Sequence, residues 1–106
     1  MFDIVNMAEA MTAVSKGTAF LIDIRSKEAY RKGHLPGAVN IPLDYILKDD
    51  YKRFLPDYHT GRKMILYCDT GTGSLLAAKK LDRKGMEACS ISGGLAGYKG
   101  HLDTGS

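Results

Sequence analysis

Two cysteines, three histidines, three prolines and no tryptophan are spread over 106 residues. Two cysteines cannot build the disulfide framework that staples small secreted domains. Neither stands at metal-ligand spacing from a histidine, so no metal and no cofactor is expected. No apolar run approaches the ~20 residues that a bilayer crossing needs. The start, "MFDIVNMAEA", lacks the basic and long apolar regions of a secretion signal. The expectation is a cytoplasmic protein without a membrane partner. Charge of one sign is also scarce: the net value is +3, and lysines and arginines sit beside acids, as in "KDDYKR" and "KKLDRKG". With neither a basic stripe nor interleaved aromatics, no nucleic-acid role is expected. A hydrophobic content of 44% suffices for one core, and the length is too short for two, so residues 1–106 read as a single domain.

Strand and helix signals alternate along the chain. "FDIV" is a short strand. "NMAEAMTAVSKG" reads as a helix capped by Asn6 and Glu9, with Met7, Met11 and Val14 on one face and Gly17 at its stop. "AFLIDIR" is a continuous apolar run of the kind covered on both faces of a sheet. "SKEAYRKG" is a short helix with Ser26 as cap and Gly33 as terminator, and "GAVNIP" a short strand closed by Pro42. In "LDYILKDDYKRFLPDYHTGR", Tyr51, Phe54 and Leu55 suggest one further helix ending before Pro56. "KMILY" is an all-apolar strand. "SLLAAKKLDRKG" is a helix lined by Leu75, Ala78 and Leu81, with Lys80, Arg83 and Lys84 opposite and Gly85 at its end. "EACSIS" is the last strand. This alternation predicts an α/β fold with a parallel sheet covered on both sides.

In such a sheet, sites form beyond the carboxyl ends of the strands. "DIR", "CDTGTGS" and "SGGLAGY" all fall on that edge. Cys68 ends an apolar strand, and Gly71 and Gly73 let the chain curl with its N–H groups pointing inward. A helix follows, with Thr72 or Ser74 as cap. Its positive end favours the thiolate, by about 0.3–1 kcal/mol at an exposed site. On the loop alone, a buried inert cysteine before a tight turn fits as well as a nucleophile.

Three segments together carry a resemblance. "DIRSKEAYRKGHLPGAVNIP", residues 23–42, closely resembles the signature of the rhodanese (sulfurtransferase) superfamily. There a strand ending in Asp-x-Arg is followed by a short helix and a Gly-His-Ile-Pro-Gly-Ala-x-Asn-Ile-Pro segment. "ILYCDTGTGS" resembles the family's strand and active-site loop, and "SISGGLAGYKG" its Gly-Gly-aromatic ending. The resemblance implies a three-layer α/β/α fold with a five-stranded parallel sheet. It also implies that Cys68 carries a persulfide during transfer of sulfane sulfur. The donor would be thiosulfate, a persulfide or a polysulfide, and the acceptor a thiol, cyanide or a protein. A sulfur-carrier or regulatory module without turnover is the alternative. Sulfurtransferases of this superfamily use a six-residue loop, whereas related phosphatases and arsenate reductases use seven residues ending in arginine. Here Cys68, Asp69, Thr70, Gly71, Thr72 and Gly73 fill six places before Ser74. No guanidinium is present among them to grip a phosphate dianion.

Two loop positions depart from the pattern. Many single-domain members carry arginine directly after the cysteine and again at the sixth place, where this chain has Asp69 and Gly73. A carboxylate about 5 Å from a thiolate costs ~3 kcal/mol at an effective dielectric near 20. If Asp69 points to solvent, that penalty shrinks. The expectation is weak use of thiosulfate and better use of a less charged donor. The N–H groups of residues 69–74 hold the anionic sulfur whatever the side chains. Arg25 either supplies the missing positive charge or braces Asp23 or Glu28. Asp23 is expected as a buried acceptor, His34 as a loop-shaping residue, Gly93, Gly94 and Tyr98 as walls, and Cys89 as a small buried hydrophobe.

Overall fold

The computed structural model describes residues 3–105; Phe2, at the start of the first predicted strand, lies outside them. The chain runs β1 (Asp3–Val5), α1 (Met7–Ser15), β2 (Ala19–Asp23), α2 (Lys27–Lys32), β3 (Val39–Asn40), α3 (Leu43–Leu47), β4 (Lys63–Tyr67), α4 (Thr72–Arg83) and β5 (Ala88–Ile91). Five strands pair in parallel in the order β1-β5-β4-β2-β3. The five-stranded parallel α/β architecture expected from the sequence is the one observed.

The apolar runs explain the layering. Successive strand residues point to opposite faces, so β2 and β4 feed two cores at once. Phe20, Ile22, Met64 and Leu66 meet Ile46 of α3 and Ala77, Ala78 and Leu81 of α4. Leu21, Ile65 and Tyr67 meet Ala10 of α1, with Met7, Met11 and Val14 packed around it. Each fully buried Leu or Ile contributes about 1.5–3 kcal/mol, which is why these strands lack a polar face.

Helix ends follow local chemistry. Asn6 Oδ1 accepts from Glu9 N at 2.8 Å while Glu9 Oε1 accepts from Asn6 N at 2.9 Å, closing a capping box at the start of α1. Ser26 Oγ accepts from Ala29 N to start α2. Gly33 ends α2 in an extended conformation, φ 169°, so a left-handed turn is not its reason for being glycine. Space is: a Cβ there would lie 3.1 Å from Leu102 Cδ1.

The helix expected around Tyr51, Phe54 and Leu55 is not formed. That stretch holds only 3-10 turns at Lys52–Phe54 and Asp57–His59, and the α-helix lies earlier, at Leu43–Leu47. Asp49 at φ 61° breaks the chain between them, and Pro56 leaves too few residues to resume a helix. The cap of α4 also differs. Neither Thr72 nor Ser74 caps it; Gly71 does, at φ 100°, without a side-chain hydrogen bond.

Candidate active site

The carboxyl ends of β2, β4 and β5 converge on Cys68. The apolar run of β4 stops at Tyr67, and the Gly71 turn folds the chain back so that α4 starts above the sulfur. Cys68 Sγ accepts from Gly71 N at 3.1 Å and from Ser74 N at 3.4 Å, and lies 3.7 Å from Ser74 Oγ. Burial pushes the half-buried thiol's pKa up. The Ser74 N–H and hydroxyl, with the N–H groups of Gly71 and Thr70, outweigh that and bring it below the ordinary value. This is a cradle for an anionic sulfur.

Behind the cradle stands a polar pair that the sequence reading did not single out. Ser74 is fully buried, and its Oγ donates to Gly71 O at 3.1 Å and lies 2.7 Å from Ser90 Oγ of β5. A hydroxyl has one proton. When Cys68 is ionised, Ser74 can turn that proton to the sulfur while accepting from Ser90. The signal in the sequence is a lone serine inside the apolar run "ACSI".

The loop after β5 clamps the cradle from the side. Leu95 N donates to Cys68 O at 2.8 Å and Ala96 N to Asp69 O at 3.1 Å. Gly94 stands so close that a Cβ would lie 2.4 Å from Cys68 O, and its φ is 59°. Gly93 N approaches Gly71 less tightly, 3.2 Å from where a Cβ on Gly71 would be. Gly93 and Gly94 therefore stand against the loop, as expected of walls. Leu95 and Tyr98 instead pack into the core on the α1 side, and the Tyr98 hydroxyl donates to His101 O.

Asp69 does not face the sulfur alone. Its carboxylate is exposed and pairs with Arg25 Nη1 at 3.4 Å. Arg25 is mostly consumed elsewhere: Nε lies 3.1 Å from both Asp23 oxygens, and Nη2 bonds Asp23 Oδ2 at 2.8 Å and the Gly33 carbonyl. Arg25 is a brace, with Asp23 rather than Glu28 as the braced acid, and its Nη1 is turned to Asp69. Asp23 itself is 0% exposed and also accepts from Arg25 N. His34 shapes its loop: Nδ1 contacts Tyr30 O at 2.7 Å, its ring stacks on Tyr30 at 3.7 Å, and its backbone bridges to Asp103. Tyr67 OH accepts from Leu35 N, tying this loop to β4, and burial together with Asp23 keeps the phenol protonated.

Cys89 lies inside β5 opposite Ile65, three residues below Cys68. At ~3.3 Å per residue and ~4.8 Å between strands the two Cα atoms are about 11 Å apart, beyond the ~7 Å limit for a disulfide. Both cysteines are free. Among the described residues no group of three or more His, Cys, Asp or Glu could hold a metal, and no helix is long and apolar enough to cross a membrane.

The family model for the rhodanese-like domain matches residues 6–101. The chain belongs to the rhodanese-like domain family. This rhodanese-like chain is 38% identical over 87 residues to a tRNA sulfurtransferase of Desulfurococcus amylolyticus, covering 82% of itself and 16% of that relative. It thus spans less than a fifth of that protein's length. A rhodanese homologue of Thermus thermophilus is 32% identical, with a TM-score of 0.67 over 88% of this chain and 97% of that one. The human single-domain sulfurtransferase superposes with a TM-score of 0.76 at 22% identity, over 88% and 91% of the two chains, which speaks for the fold alone.

Proposed function

We propose that this domain is a sulfurtransferase that moves a sulfane sulfur through a persulfide on Cys68. The observation that carries the reading is the cradle: a half-buried sulfur at a sheet edge, held by two backbone N–H groups, with its pKa lowered. The Cys68 thiolate attacks the outer sulfur of a persulfide, polysulfide or thiosulfate. The donor's S–S bond breaks, its electron pair leaves with the departing thiolate or sulfite, and Cys68 keeps the sulfur as a persulfide anion. An acceptor thiol, as thiolate, or cyanide then attacks that outer sulfur, and Cys68 leaves as the thiolate that began the cycle. The N–H groups of residues 69–74 stabilise the anionic sulfur in both halves.

Donor choice follows from the charges. Arg25 is bound to Asp23, Gly33 and Asp69, and the loop from Asp69 to Ser74 holds no cation. A persulfide or polysulfide, with less charge than thiosulfate, suits this site. Intact-mass analysis after incubation with polysulfide should give a one-sulfur adduct that disappears in Cys68→Ser; absence of the adduct in the native chain defeats the proposal. Thiosulfate turnover should be weaker than persulfide turnover. Asp69→Arg should raise thiosulfate kcat/KM roughly tenfold at little cost in stability, since exposed pairs contribute ~0–1 kcal/mol. The same absence of a loop cation favours a second reading, a sulfur carrier serving a larger assembly; loading of Cys68 without steady-state turnover would select it.

A further inference from the structure

We infer that the free edge of β3 is a docking groove for an extended acidic segment of a protein partner. β3 is the last strand of the sheet and pairs only with β2. Ile41 N donates to Asp23 O, so by the alternation of a parallel ladder Val39 also faces β2, and the N–H and C=O of Asn40 turn to the open side. An unpaired strand edge is a template for another strand.

The edge is short, two residues closed by Pro42, and offers a single outward N–H and C=O pair, that of Asn40. It forms the floor of a cavity of about 440 Å³, walled by Lys27, Tyr30 and Arg31 of α2 on one side and Pro42, Tyr45 and Phe54 on the other. Tyr45 and Phe54 form an aromatic wall, with ring centroids 4.8 Å apart. No carboxylate lines the cavity. Lys27 and Arg31 form no ion pair among the described residues. An extended segment entering here finds one backbone pairing point, at Asn40, apolar surface for one set of its side chains and the cations of Lys27 and Arg31 for the other. With a single main-chain pairing point, the aromatic wall and the two cations carry most of the recognition, as the side-chain pockets do in strand addition. The charges select acidic residues.

The groove also borders a residue that touches the Cys68 loop. Pro42 lines it, and the next residue, Leu43, bonds Ile24 O through its N–H and stands beside Gly73 of the Cys68 loop. A docked segment is thereby brought toward Cys68 as donor or acceptor; this consequence rests on the proposed sulfur transfer, whereas docking does not.

The test uses the whole chain with isotope-labelled backbone and a six-residue peptide alternating valine and glutamate. Titration should shift the amide signals of Val39 and Asn40. The double variant Lys27→Glu/Arg31→Glu, both surface changes, should weaken binding at least about tenfold. Added salt should weaken it as well. The proposal is overturned if the groove amides do not respond, if a valine–lysine peptide binds equally well, if free glutamate alone reproduces the shifts, or if the charge reversal changes nothing. Polysulfide loading of Cys68, followed by mass in the same variant, should be unchanged. Peptide binding without loading would remove the sulfur chemistry and keep the groove, and loading without binding would do the opposite.

Discussion

Cys89 lies in β5 and Cys68 just beyond the end of the neighbouring β4, and the protein treats their sulfurs in opposite ways. Cys89 lies mid-strand at 1% exposure, where burial raises its thiol pKa and the nearby Lys63 only partly opposes that. Cys68 lies one residue past the end of β4, where backbone N–H groups no longer serve the sheet and are free to bond sulfur. Three residues along the sheet separate a buried thiol from one held by backbone N–H groups. The difference is thus one of backbone. Cys89 sits between two ladders and only the Asp3 N–H acts on its thiol, too weakly to offset burial, while the Gly71 turn offers several N–H groups to Cys68. The carboxyl edge of a parallel sheet is where this change of role occurs.

The sharpest way to break the comparison is chemical. With iodoacetamide near neutral pH, Cys68 should be alkylated and Cys89 should survive until the chain unfolds, because the thiolate is the reactive form and only Cys68 is both stabilised as one and reachable. Peptide mapping reads both sites in one experiment. Equal labelling of the two would mean that burial of Cys89 is transient and the contrast has no chemical meaning.

A smaller effect separates the backbone contribution from that of the buried serines. Ser90→Ala removes the partner from which Ser74 can accept while turning its own proton to the sulfur. The pH profile of Cys68 alkylation should move to higher pH, while Cys89 remains unreactive. The stability cost should be about 0.5–1.5 kcal/mol for a buried hydrogen bond, and Ser90→Thr should restore the profile if the hydroxyl fits. An unmoved profile with the same stability loss would make Ser90 a packing residue only.

How much of this contrast is legible in sequence depends on its range along the chain. The strands are, because burial on both faces leaves apolar runs such as "AFLID" and "KMILY" that no other element explains. The α1 cap is equally plain, since Asn6 and Glu9 are three residues apart and need nothing else. The Cys68 loop announces itself by its glycines. What escapes is contact between segments far apart in sequence. Asp69 reads as a repulsive charge until Arg25, forty-four residues earlier, is seen to pair with it. Ser90 meets Ser74 only because β5 lies beside β4 and α4 begins above both. The helix at Leu43–Leu47 is hard to read from sequence for another reason. It is five residues long, with a proline rather than a side-chain cap at its start, and the aromatic spacing downstream serves 3-10 turns instead.

The smallest predicted effect is on stability, and it has opposite signs for the two thiols. The folded pKa of Cys68 lies below its unfolded value. Between those two values the unfolded chain binds more protons, so stability from Cys68 rises with pH and is lost as pH falls through the folded pKa. The folded pKa of Cys89 lies above its unfolded value. Its contribution is complete below the unfolded pKa, near ~8.5 for an ordinary thiol, and declines as pH rises toward the folded one. Denaturant unfolding of the native chain, Cys68→Ala and Cys89→Ala from about pH 6 to pH 10 checks both signs, since that range brackets an ordinary thiol. The stability difference between the native chain and Cys68→Ala should grow with pH and level off above ~8.5. The difference from Cys89→Ala should be flat up to that point and shrink beyond it. Parallel curves for the two variants would mean that the sheet edge does not distinguish the sulfurs thermodynamically, whatever it does to their rates.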